Sequence, residues 1–451
     1  MKTNVKNMTE GNIASLLIVF ALPMFLGNVF QQFYNMVDSI VVGRCVNEEA
    51  LGAVGSVGSI NFLLFSFAMG LGSGIGILVS QYFGAGNDKR VKKIIANSFY
   101  VSLSVGLIVS VIGVVFARSI LSFMQVPEED FDYALTYMVI ITSATFVVSL
   151  YNAVASVLRA LGDSKTPLYI LIASSIVNIV LDLCFVIYFH MEVRGVAYAT
   201  VIAQVLSVVG ALFIAFRNNK YFKLEKEDWK VDFEIIGQSF KIGLPLSLQM
   251  ALIAVSTIAL QRYVNLQGAT VMAAFTATGR VEQLVHQPFS SLGMALSTFT
   301  GQNIGAGKQD RVRKGLRIGI LMIGIVSVTM LIVMNLFGRE IVSIFIEEEN
   351  VISIGAKGLS ITSLMYFGLG LIYIIRGVLN GAGDTMFALL NGIFEVIGRF
   401  GFAMILMSIP AVGIWGLWYT NGFTWPHPGR VQVLLLSIFE EGSALRTQPE
   451  N

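Results

Sequence analysis

The stretch QYFGAGNDKRVKK at residues 81–93 returns as QNIGAGKQDRVRK at residues 302–314, an offset of 221. Gln81, Gly84, Ala85, Gly86, Arg90, Val91 and Lys93 meet Gln302, Gly305, Ala306, Gly307, Arg311, Val312 and Lys314. The same offset pairs Ser122 with Ser343 and Gly162-Asp163 with Gly383-Asp384. Leu22-Pro23 pairs with Leu244-Pro245 at one residue more. A chain that repeats its loops half-way along its 451 residues is built twice on one plan.

Composition says what the repeated unit is. Hydrophobic residues make up 55% and charged residues only 13%, where a soluble domain carries about 25% charged. Mean hydropathy is +0.74. A soluble enzyme or a nucleic-acid binder is excluded, and an integral membrane protein follows. A bilayer core ~30 Å thick takes roughly 20 mostly apolar residues per helix. About twelve stretches qualify: 15–42, 56–83, 96–116, 131–157, 167–190, 195–216, 242–263, 272–300, 316–338, 356–378, 385–408 and one starting at 412. The first is too long for a signal-peptide core and reads as a retained helix.

Basic residues set the orientation. With the N-terminus inside, twenty Lys and Arg fall in inside loops, Arg159 and Arg376 among them, against six outside. The positive-inside rule then places the N-terminus in the cytoplasm. The paired basic loops fall on the same side, so the repeat is parallel, six spans plus six, about an axis along the membrane normal. Residues 1–216 form the first lobe, 217–241 a charged cytoplasmic linker, and 242–425 the second lobe. Two cysteines cannot make a disulfide framework; Cys45 and Cys184 read as packing residues. The run Gly70-Leu-Gly72-Ser-Gly74-Ile-Gly76 lies inside an apolar helix, which marks close helix packing rather than a phosphate cradle. Two six-helix lobes with a cavity between them are a common layout for alternating-access transporters, and since no nucleotide motif occurs, the energy for such transport has to come from an ion gradient. No metal-ligand or nucleophile spacing suggests an enzyme or a prosthetic group.

Intramembrane acids are expensive and mark function. Asp38 lies about 6 Å below the outer end of the first span and Asp182 roughly 12 Å below that of the fifth. Asn178 precedes Asp182 by four residues and shares its helix face. Tyr137 on the fourth span and Thr200 on the sixth reach a similar depth. Oxygens of this kind suit Na⁺, at Asp38, Asn178 and Asp182. Two neighbouring carboxyl groups also suit a proton carrier. A polar network that only locks the lobe is the structural alternative.

The Leu-Pro near the start of each half, the paired Gln-…-Gly-Ala-Gly-…-Arg loops and the Gly-Asp turns resemble the multidrug and toxic compound extrusion (MATE) transporters. That family belongs to a superfamily that also holds lipid-linked-sugar flippases. The resemblance spans about residues 10–425. It implies an all-α, V-shaped, twelve-helix membrane protein with a central cavity, multi-pass in the bacterial inner membrane and acting as a monomer. It also implies export of organic cations and other drugs against inward Na⁺ or H⁺, with Asp38, Tyr137, Asn178, Asp182 and Thr200 as the first-lobe cation site of the DinF-like branch. Pro23 would allow the first helix to bend. The second lobe places Ala259 or Leu260 and Ala403 where the first has its two aspartates, so coupling is expected in the first lobe alone.

Other polar residues fall in the second lobe. Glu395 and Arg399 are spaced for a local salt bridge. Glu282 either meets a cationic substrate in the central cavity or pairs with Arg280 or another span, and His286 either relays protons or packs neutral. A flippase for a lipid-linked precursor is the competing function; it favours a basic cavity, for which the intramembrane candidates are Arg280 and Arg399. Pro426 to Arg430 interrupt the last span, and residues 426–451 read as an atypical, foreign tail.

Overall fold

A computed structural model describes residues 5–46 and 48–424. Among them there is no strand. The first half holds α1 (Ile13–Cys45), α2 (Glu48–Gly84), α3 (Asp88–Val115), α4 (Ala117–Phe123), α5 (Glu128–Ser143), α6 (Thr145–Ala160), α7 (Lys165–Leu183) and α8 (Glu192–Asn218). The second holds α9 (Phe233–Asn265), α10 (Ala269–Gly305), α11 (Gln309–Ser343), α12 (Glu349–Ser363), α13 (Tyr366–Ala382), α14 (Met386–Ser408) and α15 (Gly416–Thr424). Taking α5–α6 and α12–α13 each as one bent rod, and α4 as a short cap on α3, each half presents six rods.

The bends repeat. α5 meets α6 at 45°, and α12 meets α13 at 50°. Among the described residues, eight helices are long and apolar enough to cross a bilayer, and the two bent pairs make ten. Of the remaining two rods, α10 is diluted by Arg280, Glu282, Gln283, His286 and Gln287. α15 is described for only 9 residues, and the proposed foreign tail lies outside the described residues. Both Gly-Asp turns use the left-handed backbone that glycine tolerates, with φ +88° at Gly162 and +89° at Gly383.

The linker is shorter than the charge pattern suggests. α9 starts at Phe233, because the Asp232 carboxylate caps the backbone N–H groups of Glu234 and Ile235. The charged residues up to Lys241 are the first turns of a helix that extends past the bilayer. The linker is clasped to the first half. Asp232 pairs with Lys93 at 2.7 Å and Arg90 at 3.2 Å, and Asp88 with Lys220 at 2.9 Å. The Lys93 hydrogen bond, outweighing desolvation, holds the Asp232 carboxyl below its ordinary range. Cys45 is exposed at the end of α1 rather than packed, and Cys184 is half-buried.

Each half lends its first helix to the other. Leu16, Leu17, Phe20 and Met24 of α1 share a core with Val285, Phe289 and Leu292 of α10. Ile235, Ile242 and Leu246 of α9 share one with Ile75, Leu78 and Val157 of the first half. The glycine run on α2 makes the second exchange possible. A methyl at Gly70 would sit 2.2 Å from Ser247 Oγ and one at Gly74 2.7 Å from the Gly243 Cα, both on α9. Without a hydrophobic drive between helices in lipid, such close backbone approach supplies the packing.

The face that carries the basic loops is sealed by the repeat itself. Gln81 Nε2 donates to the Gly381 carbonyl at 2.9 Å, and its repeat partner Gln302 donates to the Ala160 carbonyl at 2.8 Å. Gly84 lies against Gln302 and Gly305 against Gln81, so closely that a Cβ on either would come within 1.9 Å of the facing carbonyl oxygen. The start of the chain is stitched across the same seam. Lys6 N donates to Leu161 O, and the buried Met8 donates to Gln302 Oε1. Arg311 and Lys308 hold the carbonyls of Gly11 and Thr9. The groove bounded by Gln81 of the first half and Lys241, Gly383 and Asp384 of the second is instead an open cavity of 720 Å³.

Candidate functional site

Five of the predicted side chains converge near the face opposite the basic loops. α1 supplies Asp38, α5 Tyr137, α7 Asn178 and Asp182, and α8 Thr200. Asn178 is the hub. Its amide nitrogen donates to Asp182 Oδ2 at 3.0 Å and to Asp38 Oδ1 at 3.3 Å, and its oxygen accepts from the Thr200 N–H at 3.2 Å. Asp38 is also within hydrogen-bonding reach of Asp182 and Tyr34, and Tyr137 lies within electrostatic range of both carboxylates. Asp182 is 0% exposed. Its Oδ1 and the Thr200 hydroxyl are buried with no hydrogen-bond partner, a costly state in a lipid-embedded protein. The cluster is collared by Val41, Val57, Met138, Ile141 and Val196.

Two details depart from the sequence reading. The Asn178 oxygen is taken up by Thr200 N, so in this arrangement Asn178 ties the carboxylates together instead of offering an oxygen to an ion. Tyr34 was missed. It stands one helical turn before Asp38, a spacing that puts it on the same face. α7 also widens into a π turn at Cys184–Tyr188, directly after Asp182, a local distortion that recurs at functional sites.

Pro23 is buried inside α1. The ring leaves the Val19 carbonyl without its helical donor. On the same helix, Asn28 donates to Ser291 of α10 at 3.4 Å, so α1 joins the acidic cluster to the seam between the halves.

Between the halves lies a second cavity, of 360 Å³. Arg159 and Arg376 line it, with Ser73, Ser156, Gln249 and Tyr373. The charge count had placed both arginines in loops. They sit instead in the closing turns of α6 and α13, where the bent rods turn their ends inward. Glu282, Arg280 and His286 do not line this cavity. Glu282 is buried within its own half, where it accepts from Asn421 Nδ2 at 3.4 Å and hydrogen-bonds with Thr362. Arg280 is exposed and leaves Glu282 to those partners. His286 packs edge-on to the Tyr373 ring.

A family model named MatE matches residues 23–184 and again 245–405. The chain belongs to the MatE family. The two matches are the two halves of the repeat. A Bacillus subtilis (strain 168) protein named probable multidrug resistance protein YoeA is 32% identical over 93% of this chain and 91% of its own length. Two solved structures, described as MATE in the straight and in the bent conformation, superpose with TM-scores of 0.91 at 22% and 21% identity. The first covers 99% of this chain and 100% of its own, the second 98% and 100%. The chain is thus a multi-pass membrane protein with the MATE helical fold.

Within that fold the MatE repeat is asymmetric in its polar residues. Leu260 and Ala403, the second-half counterparts of Asp38 and Asp182, pack with Val264, Val271, Leu417 and the fully buried Trp418. The polar groups of that half lie elsewhere. Arg399 donates to Glu395 at 2.8 Å with both largely buried, and Trp418 Nε1 donates to Thr278 at 3.1 Å. Thr362 and Asn421 were not foreseen, since a partner on another helix leaves no fixed sequence offset.

Proposed function

We propose that this MatE protein is a secondary multidrug antiporter that exports organic cations and other lipophilic compounds in exchange for Na⁺ or H⁺. The observation that carries this reading is the pair of carboxyl groups, Asp38 and Asp182, held by one amide beside unpartnered buried oxygens. Like charges this close repel strongly away from water. One proton or one Na⁺ removes the repulsion, which gives the site two discrete states. Asp182 Oδ1, an Asp38 oxygen and the Thr200 hydroxyl are hard donors for Na⁺. Rotation of the Asn178 amide would turn its oxygen to the ion as well.

Alternating access follows from the helix that carries Asp38. Ion binding draws α1 toward α7 and α8. Its other end, beyond Pro23, lies in the core of the second half, so the seam feels the change. The family relationship and the relatives' multidrug resistance names support a transporter rather than an enzyme. The basic face is taken as cytoplasmic, the ion enters from the opposite side, and the protein works as a monomer in the cell membrane with no prosthetic group and no nucleic-acid partner. A flippase for a lipid-linked precursor is the second reading, favoured by Arg159 and Arg376 in the cavity.

The test is transport of a fluorescent organic cation into proteoliposomes under an imposed Na⁺ gradient, then a pH gradient, with Asp38→Asn alongside. Gradient-driven movement that disappears in the variant is expected, and the effective gradient names the ion. Movement indifferent to both gradients would overturn antiport.

A further inference from the structure

The cavity between the halves carries two positive charges and no negative one. Arg159 Nη2 donates to Ser156 Oγ at 2.9 Å, and the Arg376 guanidinium lies 4.6 Å from the centre of the Tyr373 ring. Neither arginine forms an ion pair among the described residues, and no Asp or Glu is among the residues lining the cavity. Charges inside a membrane protein are kept where they find a partner or a function. The repeat does not require these two: at the 221-residue offset Arg159 corresponds to Asn380, and Arg376 to Ala155. Each half has supplied its arginine at a different position, and both line the same cavity. Met24, Phe62, Met250 and Met294 add adaptable apolar surface to its lining.

We propose that this cavity is an anion subsite. Its cargo presents a carboxylate or phosphate to the guanidinium forks of Arg159 and Arg376, while an apolar body rests on the methionines and Phe62. The inference rests on the exporter reading and narrows it: among the cargo, this subsite favours amphiphiles that carry an anionic group, zwitterions included, over pure cations.

The experiment is equilibrium binding to the purified full chain in nanodiscs, with no gradient, read by fluorescence polarisation. The probes are rhodamine 6G, an ethyl ester and pure cation, and rhodamine 19, its free acid and a zwitterion with the same rings. The acid is expected to bind at least about tenfold tighter, the scale of one buried charged hydrogen bond. The double substitution Arg159→Gln and Arg376→Gln should erase that preference by weakening the acid's binding, with the ester held no more weakly than before, since two like charges are removed from beside it; the double lysine variant should keep part of the preference. Equal binding of the two dyes to the wild-type chain overturns the proposal without any variant, and so does a preference that survives in the glutamine form. Displacement of rhodamine 19 by decanoate assigns the anion to a small carboxylate amphiphile, and displacement by lysophosphatidic acid assigns it to a lipid headgroup. Failure of both to compete overturns the subsite. Intact dye preference with no gradient-driven transport would sink the exporter reading alone.

Discussion

The end of the molecule opposite the basic loops is built twice, and the two versions differ in kind. In the first half, Asp38, Asn178, Asp182 and Thr200 meet in a connected polar cluster with unpartnered oxygens. In the second, the corresponding rods bring together Leu260, Ala403, Leu417 and Trp418 in an apolar core. At the basic face the halves are near copies, down to the two glutamines and the two glycines that face them. Duplication has preserved what closes the seam and left the opposite ends free to diverge. Symmetry here belongs to the seam, and the buried acid pair to one lobe.

The comparison breaks most decisively at the acids. Asp182→Asn should lower gradient-driven transport roughly a hundredfold, the scale of removing one partner from a desolvated charge pair, about 3 kcal/mol. Glu282→Gln in the second half should cost no more than about fivefold, near 1 kcal/mol for a single exchanged hydrogen bond. Equal losses in the same proteoliposome assay would mean that both lobes couple. The seam should respond in the opposite way. Gly84→Ala and Gly305→Ala should each destabilise the detergent-solubilised protein by about 1–3 kcal/mol through overpacking. Thermal melting of the two variants should agree closely, and a large inequality would deny the symmetry of the seam.

The smallest effect concerns the linker clasp. The Asp232 carboxyl is held below its ordinary range, so its ion pairs stabilise the folded state above the unfolded carboxylate pKa. That contribution is lost as pH falls through the lower folded value. Asp232→Asn should remove less than about 1 kcal/mol near neutral pH and nothing below both values. Protease protection of residues 223–231, followed from neutral to acidic pH, checks this: the wild-type chain should converge on the variant at the acid end.

Much of this architecture is legible in the sequence because membrane physics leaves few choices. Long apolar runs mark the rods, and the 221-residue offset marks the repeat. The four-residue step from Asn178 to Asp182 places two polar groups on one face, and depth counting brings Asp38 to the same layer. What stays hidden depends on geometry across helices. Tyr34 carries no charge to mark it inside its apolar helix, and only packing across helices brings it, with Asp38, to Tyr137 and Thr200. Arg159 and Arg376 read as loop charges because sequence does not show that the fourth and tenth rods bend. Glu282 offers no clue to Thr362 or Asn421, which lie 80 and 139 positions away.

The stitched start of the chain has a consequence for timing. Residues 6–11 bond to Leu161 of one half and to Gln302, Lys308 and Arg311 of the other. The halves therefore cannot part at the basic face until this strap lets go of one of them. The strap works as an escapement: the speed of the cycle is tied to how fast a few backbone hydrogen bonds are shed and remade. Whatever grips the first residues of the chain, a fusion partner or another protein, would act as a brake on the proposed transport cycle from a site far from the acidic cluster and the cavity between the halves.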